Sequence, residues 1–446
     1  MEPTILKQLQ ECWIEKENKE LMSKQRPKRR YFHFDPVIQE ISDKNISKIF
    51  NFEYIKRHPF LPLLHRIQKD RFYKKDLATG KKKPTLKERP ISYASHFDAL
   101  IYSWYSSILE FYYENLIRGQ AVSESIIAYR SIDKKSNIDF AKEVFDFVKQ
   151  KGDCVTIGLD IQGFYDNIDH QILKRKWSFL LSEDSLPEDH YKVFRSITKY
   201  AYVNLETLKK EILDQGASDS KFSSSLEMLK ILRKKGLIVQ YPEKFGIPQG
   251  TPISCVLSNL YMYDFDLAVS LMVKNIDGLY RRYSDDIIIV CNKKDEKEMM
   301  SFVIAEVKKL KLSIQENKTE VRYFTLENNV LKCTDGKNKI SRLQYLGLEF
   351  DGEKNYLRHK GYAKFERNMT YAIRQEKKRS LKHGKPFAKR KIYERFSPLG
   401  KATFITYAQK VGSMLKSNSV AKQINSSKIF RKIKDRINGQ GQSKQA

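Results

Sequence analysis

Two adjacent carboxylates, Asp285 and Asp286, lie within Tyr283-Ser284-Asp285-Asp286. Leu279-Tyr280-Arg281-Arg282 precedes them and Ile287-Ile288-Ile289-Val290 follows. Both flanks are rich in β-branched and aromatic residues and predict strands. The acidic pair then sits at the tip of a buried hairpin, where unpaired carboxylates cost on the order of several kcal/mol. A divalent cation relieves that cost. A turn that simply favours Asp is the plainer alternative. A third carboxylate, Asp160, closes the run Cys154 to Ile161, in which Val155, Ile157 and Leu159 alternate with Thr156, Gly158 and Asp160. That period of two predicts a strand with Asp160 at its end, on the face of the small residues. Alone, such an Asp is more often a cap or turn residue.

The elements around these residues follow from pattern. Gly163 breaks the Asp160 strand, and Tyr165-Asp166-Asn167-Ile168-Asp169-His170 opens a helix. Gly246 to Pro252 predicts a rigid loop before a helix from Ile253 to about Met272, whose Ser254, Cys255, Ser258 and Asn259 allow close approach. A helix is expected over 296–310, a return to strand from Leu312 through Lys318 to Val321, and a strand or hairpin over Gln344–Phe350. Upstream, residues 1 to about 50 read as polar helix with a basic run from Lys24 to Arg30, as much a solvated face as a nucleic-acid contact. Gly80 to Pro84 reads as a loop. It leads into Lys87-Glu88-Arg89-Pro90-Ile91, where Pro90 demands an edge or a turn exit. Helices are expected at about 96–114 and 137–149, a short strand at Ile126–Arg130, and a polar helical stretch over 171–240 with a Ser-rich patch near Ser218–Ser225. From about Tyr362 to Asn438 the chain is basic, aromatic and helical, broken at Gly384–Phe387 and Ser397–Gly400.

With 446 residues, 41% hydrophobic and 12% aromatic, the chain has material for two or three cores and is not a disordered one. Lys and Arg number 83 against 54 Asp and Glu, a net charge of +29 that calls for a polyanion, nucleic acid first. Apolar runs are strand-sized, which argues against a membrane protein. Met1-Glu2-Pro3-Thr4 opens no secretory pattern. The five cysteines Cys12, Cys154, Cys255, Cys291 and Cys333 form neither a zinc pattern nor a disulfide set, so a reducing, cytoplasmic setting is expected.

Taken in order, the strand ending in Asp160 with Tyr165 beyond it, the Gly-x-Pro-Gln-Gly loop, the Tyr-x-Asp-Asp hairpin, the segment with Lys318 and the Leu346-Gly347 hairpin resemble motifs A through E of reverse transcriptases. The match covers roughly residues 80 to 355. The resemblance implies an α+β right-hand polymerase: an N-terminal helical extension and start of fingers over 1–75, fingers–palm with an antiparallel sheet over 76–355, and an all-α, basic, thumb-like domain over 356–446. It implies RNA-directed DNA polymerisation, a nucleotidyltransferase reaction served by two Mg²⁺ ions about 4 Å apart, Mn²⁺ being an alternative. Asp160 and Asp285 would bridge the ions, Asp286 would support them, and the main-chain carbonyl of Ile161 would complete one site. Tyr165 stands where the family has its steric gate against a ribose 2′ hydroxyl. Gln249 and Gly250 occupy the loop that lies against the incoming nucleotide. Arg89, helped by Lys87, is placed to grip its triphosphate, and Lys318 matches a lysine that protonates pyrophosphate or else is a plain surface lysine. Leu346 and Gly347 match the hairpin that grips the primer end.

No ribonuclease H, integrase or Cys/His endonuclease pattern follows residue 350. Ala128-Tyr129-Arg130, followed by Asn137-Ile138-Asp139-Phe140-Ala141, most resembles bacterial abortive-infection and unknown-group enzymes, with retron and intron enzymes as further relatives. That resemblance implies antiphage defence with a partner noncoding RNA. The expected partners are an RNA template, a DNA/RNA duplex, dNTPs and that RNA, without a membrane. Oligomeric state, homo-oligomers included, stays open. Template-independent synthesis, a non-catalytic RNA-binding protein and an RNA-directed RNA polymerase are the competing readings. Intact Asp160, Asp285 and Asp286 weigh against the non-catalytic protein, and Tyr165 with Tyr-x-Asp-Asp weighs against the RNA polymerase.

Overall fold

The computed structural model describes residues 2–22, 31–75, 80, 82–214, 226–401 and 403–439. The basic run Lys24–Arg30 and the Ser218–Ser225 patch lie outside them. Twelve strands are present among the described residues: β1 (Leu63–Lys75), β2 (Lys82–Tyr93), β3 (Cys154–Asp160), β4 (Ala201–Asn204), β5 (Val239–Gln240), β6 (Leu279–Tyr283), β7 (Asp286–Cys291), β8 (Glu320–Glu327), β9 (Val330–Thr334), β10 (Leu343–Tyr345), β11 (Leu348–Phe350) and β12 (Asn355–Leu357). The chain divides into two compact units, each built from three segments.

The first unit holds 1–129, 161–268 and 304–314. Its central helix, His96–Ile117, starts at Ser95, whose side chain accepts from the Asp98 amide. Leu100, Ile101, Trp104, Tyr105 and Leu109 bury its inner face, and the N-terminal helix Pro3–Leu21 sets Trp13 edge-on to Trp104 at 5.7 Å. A four-stranded sheet runs β2-β1-β4-β5, with β2 on the edge as Pro90 requires. Three readings are corrected here. The stretch 171–240 contains β4 and β5 as well as helices. Val203 of β4 pairs with Leu64 and joins a core with Phe34, Leu208 and Leu232, so a run too short to show periodicity is captured by burial. Ile126–Arg130 is not a strand: a single bridge residue, Ile126, leads into a turn at Ala128-Tyr129, with Tyr129 in the left-handed region at φ 62°. The loop expected at Gly80–Pro84 is also shorter than anticipated, since β2 begins at Lys82.

The second unit holds 130–160, 269–303 and 315–446. Its sheet is antiparallel throughout, in the order β6-β7-β3-β8-β9. Central β3 and β7 are buried on both faces along most of their length, with Thr156 and Gly158 of β3 buried or half-buried opposite the Val155, Ile157 and Leu159 face. The helix Asn137–Lys151 begins with a Ser136/Asp139 capping box and stacks Phe145 on Phe350 at 5.0 Å, and Phe350 in turn meets Phe324 at 5.8 Å. A small sheet β10-β11-β12 follows. The expected boundary at 355/356 falls inside β12, and the helices begin at His359. Five of them end the chain, packed through Phe365, Met369, Ile373, Phe396, Ile405 and Ile433. The α+β class, the antiparallel sheet and the helical C-terminal region agree with the expectation. Among the described residues no helix is long and apolar enough to cross a membrane.

Candidate active site

In the second unit the hairpin β6–β7 closes through a two-residue turn, Ser284-Asp285, with Tyr283 paired to Asp286. Ser284 takes φ 61°, a strain such tight turns demand. Arg282 holds the turn from beneath. It is 0% exposed, and its Nη1 donates to the Ser284 carbonyl at 2.9 Å. Sequence reasoning passed over Arg282. The signal was there, because the alternation puts it on the same buried side as Tyr280.

Register does the rest. Gly158 faces Ile288 of β7 and Glu320 of β8, and Asp160 lies directly opposite Asp286. Asp286 is open to solvent as a residue, yet its carboxyl is hemmed by protein atoms. Burial first, then the Asp285 and Asp160 carboxylates, push it up to about 6, while Arg358 and Lys318 pull the other way. The Asp160 carboxylate meets the Lys318 ammonium at 2.5 Å, and its carbonyl accepts from the Gln315 amide at 2.8 Å. Lys318 is therefore not in a strand, as expected, but on a short 3-10 turn, Glu316–Lys318, ahead of β8. The reason is that β8 pairs with β3 only from Glu320 onward.

These carboxylates fit a hard divalent cation: three acidic side chains at one sheet end, one of them reluctant to ionise, and a lysine supplying countercharge. Among the described residues no group of three or more His, Cys, Asp or Glu side chains is placed to hold a metal ion by itself. Mg²⁺ does not need one, since it binds through one or two carboxylates and retains waters.

The Leu346-Gly347 turn joins β10 to β11. Both residues have positive φ, 44° and 86°, and the Gly347 carbonyl accepts from the Arg358 amide at 3.0 Å.

The remaining candidates belong to the first unit. Ile161 is buried, and its backbone bridges to Ile314. Gly163, at φ 52°, turns the chain into the 3-10 segment Phe164–Asn167 that carries Tyr165. The Gly246–Pro252 loop is tied to that segment by the Ile247 amide on the Tyr165 carbonyl at 2.9 Å and the Gly246 amide on the Ile168 carbonyl at 2.8 Å. It is tied to β2 as well, because the Ser92 amide donates to the Gln249 carbonyl at 2.8 Å. At Gly250, φ 116°, a Cβ would stand 2.7 Å from the Ser92 carbonyl oxygen and 3.0 Å from Ile91 Cγ2. The close approach expected of this glycine is thus met by the chain's own backbone. Upstream on β2, Lys87 is exposed and Arg89 forms an ion pair with Asp70 across the hairpin. Tyr165 is held by its hydroxyl, 3.2 Å from that of Tyr129 and 3.4 Å from that of Ser258, and burial raises its pKa far above the phenol range.

The reverse transcriptase (RNA-dependent DNA polymerase) family model matches residues 80–350. No curated protein matches the chain. Among solved structures, the apo telomerase of Candida tropicalis truncated from its C-terminal domain is 13% identical over 69% of this chain and 57% of that one, with a TM-score of 0.37. The telomerase of Candida tropicalis with a TWJ fragment of telomeric RNA is 14% identical over 66% and 44%, at 0.39. The telomerase of Candida albicans with such a fragment is 12% identical over 93% and 72%, at 0.38. The chain thus spans about half the length of the first two.

Proposed function

This chain belongs to the reverse transcriptase (RNA-dependent DNA polymerase) family, and on that premise we propose that it is an RNA-directed DNA polymerase adding deoxynucleotides to a 3′ end. The observation that carries the proposal is the β3–β7 register, which sets Asp160 opposite Asp286 with Asp285 beside it in the turn. Asp160, Asp285 and Asp286 hold the metal, with the Ile161 carbonyl as a further ligand. When bound, Mg²⁺ or Mn²⁺ supplies the Lewis acidity that such transfer needs at the 3′ hydroxyl and the leaving pyrophosphate.

The other roles are the chain's own. Arg89 and Lys87 bind the triphosphate, which requires Arg89 to exchange Asp70 for phosphate. Lys318 neutralises Asp160 in the resting protein and is the proton donor to pyrophosphate. Gln249 and Gly250 support the nucleotide through the loop bonded to β2, and Tyr165 screens its sugar. Leu346 and Gly347 hold the primer end. Primer extension on an RNA template tests the core of this: Asp285→Ala with Asp286→Ala is expected to abolish it and leave nucleic-acid affinity roughly intact. Normal extension by that variant refutes the assignment.

The finer reading is antiphage defence in the cytoplasm with a dedicated noncoding RNA as template or scaffold. It is supported by the resemblance of Ala128-Tyr129-Arg130 and the segment after it to defence-associated enzymes, and by a net charge of +29. Sequencing the RNA that copurifies with the protein is expected to return one structured species. A random sample of cellular transcripts overturns the dedicated-RNA reading and leaves the polymerase intact.

A further inference from the structure

Tyr129 is an exception in its surroundings. It is an aromatic residue with φ 62°, a conformation that costs a bulky side chain about 1–2 kcal/mol, and it is 43% exposed, so burial does not compensate for the strain. Something else keeps it there. The Asn259 side chain donates to the Ala128 carbonyl at 2.9 Å and fixes the turn. The Tyr129 hydroxyl then stands 3.2 Å from that of Tyr165. From Tyr165 the contacts continue to the Ser258 hydroxyl at 3.4 Å, and from Ser258 Oγ to the Cys255 carbonyl at 2.7 Å. Ser258 and Asn259 are neighbours on the helix Ser254–Asn275, so one turn of helix fixes both tyrosines. Burial keeps Tyr165 protonated at any working pH, so its hydroxyl is always available for this chain.

We propose that Tyr129 is a positioning residue for sugar selection: its hydroxyl tethers the Tyr165 ring and sets the height of the wall that a ribose 2′ hydroxyl meets. This rests on the reading of Tyr165 as the steric gate. An aromatic ring excludes one extra oxygen only if it cannot tilt, and a ring held at its outer end by two hydroxyls tilts less than one held by packing alone. The strain at Tyr129 is the cost of reaching that hydroxyl from a turn.

The test compares kcat/KM for a ribonucleotide and the matching deoxynucleotide in single-nucleotide primer extension by the full chain. The variants are Tyr129→Phe, Tyr165→Phe, the double variant and Tyr165→Ala. Both Phe variants keep the ring and remove the tether. Each is expected to raise relative ribonucleotide use roughly 2- to 10-fold, the equivalent of one net hydrogen bond, with wild-type melting. The double variant is expected to match Tyr165→Phe, because one contact cannot be lost twice. Unchanged selectivity in the Phe variants, or additive effects in the double, overturns the tether. If Tyr129→Phe does not fold, Tyr165→Phe removes the same contact together with the one to Ser258, and Ser258→Ala beside it reads the second contact alone: a selectivity change in Tyr165→Phe no larger than in Ser258→Ala overturns the tether. Tyr165→Ala separates the two ideas: unchanged sugar selectivity there defeats the gate itself, whereas a change there with silent Phe variants defeats only the tether.

Discussion

Replacing Gly250 by Ala adds one methyl group, and its consequences can be worked out from the backbone. At φ 116° an L-residue is strained whatever the space, at about 1–3 kcal/mol. The methyl also falls 2.7 Å from the Ser92 carbonyl oxygen and 3.0 Å from Ile91 Cγ2. The first of those neighbours is backbone, which has no rotamer to escape into. Relief requires the Gln249–Gly250 loop and the end of β2 to part, which breaks the 2.8 Å bond from the Ser92 amide to the Gln249 carbonyl. Strain and overpacking together give a loss of about 3 kcal/mol. For a unit of about 250 residues that lowers the melting transition by roughly 6–12 °C. Gly347→Ala is the control. It too has positive φ, 86°, but the nearest atom to its Cβ is the Tyr407 hydroxyl at 4.0 Å, so only the backbone strain of about 1 kcal/mol is expected. Thermal melts of both variants, with kcat/KM for dNTP measured beside them, decide the matter. Equal melting shifts, or a wild-type melt for Gly250→Ala, refute the idea that this loop is braced by β2.

Mg²⁺ is expected to raise the melting temperature of the wild type, by about 2.7 kcal/mol of stability at a hundred times its Kd, and to leave Asp285→Ala with Asp286→Ala unmoved; an equal shift in both would place the ion elsewhere. In metal-free buffer at pH 8, Asp286→Asn is expected to melt above the wild type, because it removes repulsion from Asp285 and Asp160, and a lower melt counts against that crowding. Burial holds His33 down to about 4 from an ordinary 6.5, so its contribution of about 3 kcal/mol is whole above pH 6.5 and lost as pH falls from there toward 4. Melts from pH 7 to 5 should fall more steeply for the wild type than for His33→Gln, and parallel curves would exclude His33 as the cause. On the helix His359–His383, Lys364, Arg367, Arg374 and Lys378 share an exposed face with Tyr371, which is 65% exposed. Alanine at all four should flatten the slope of log K against log salt for duplex binding by about 3–4, and an unchanged slope would remove this helix from the nucleic-acid surface.

The acidic hairpin was legible because its flanks carry their own explanation: Ile287 to Val290 can be nothing but an interior strand, and the turn is whatever remains between two strands. The β3 strand was legible through its period of two, and the opposition of Asp160 and Asp286 followed once both strands stood in one sheet. Lys318 was harder. Its secondary structure was misread because strand residues around it suggested continuity, and its bond to Asp160 depends on a long side chain whose reach no local pattern reports. Val203 and its short strand were hidden for another reason, since four residues carry too little periodicity to read and are strand because β1, with Leu64, waits across from them. Ile126–Arg130 has strand composition, yet Asn259, 131 residues away from Ala128, holds it as a turn. Arg282 was readable and passed over, a charge in a buried register that donates to the carbonyl of a tight turn.

The strand order β6-β7-β3-β8-β9 also bears on how the protein is made. Asp160 ends the middle strand of that sheet, and both of its neighbours, β7 and β8, are encoded after it. At about 5–20 residues per second, β3 is complete roughly 6–25 s before the first residue of β7 is added. For that interval Val155, Ile157 and Leu159 have no sheet to enter, and the strand's amides and carbonyls are open on both edges. The nascent chain therefore carries this central strand unpaired through the middle of synthesis, and the same strand that presents Asp160 is a place where a chaperone would have work to do.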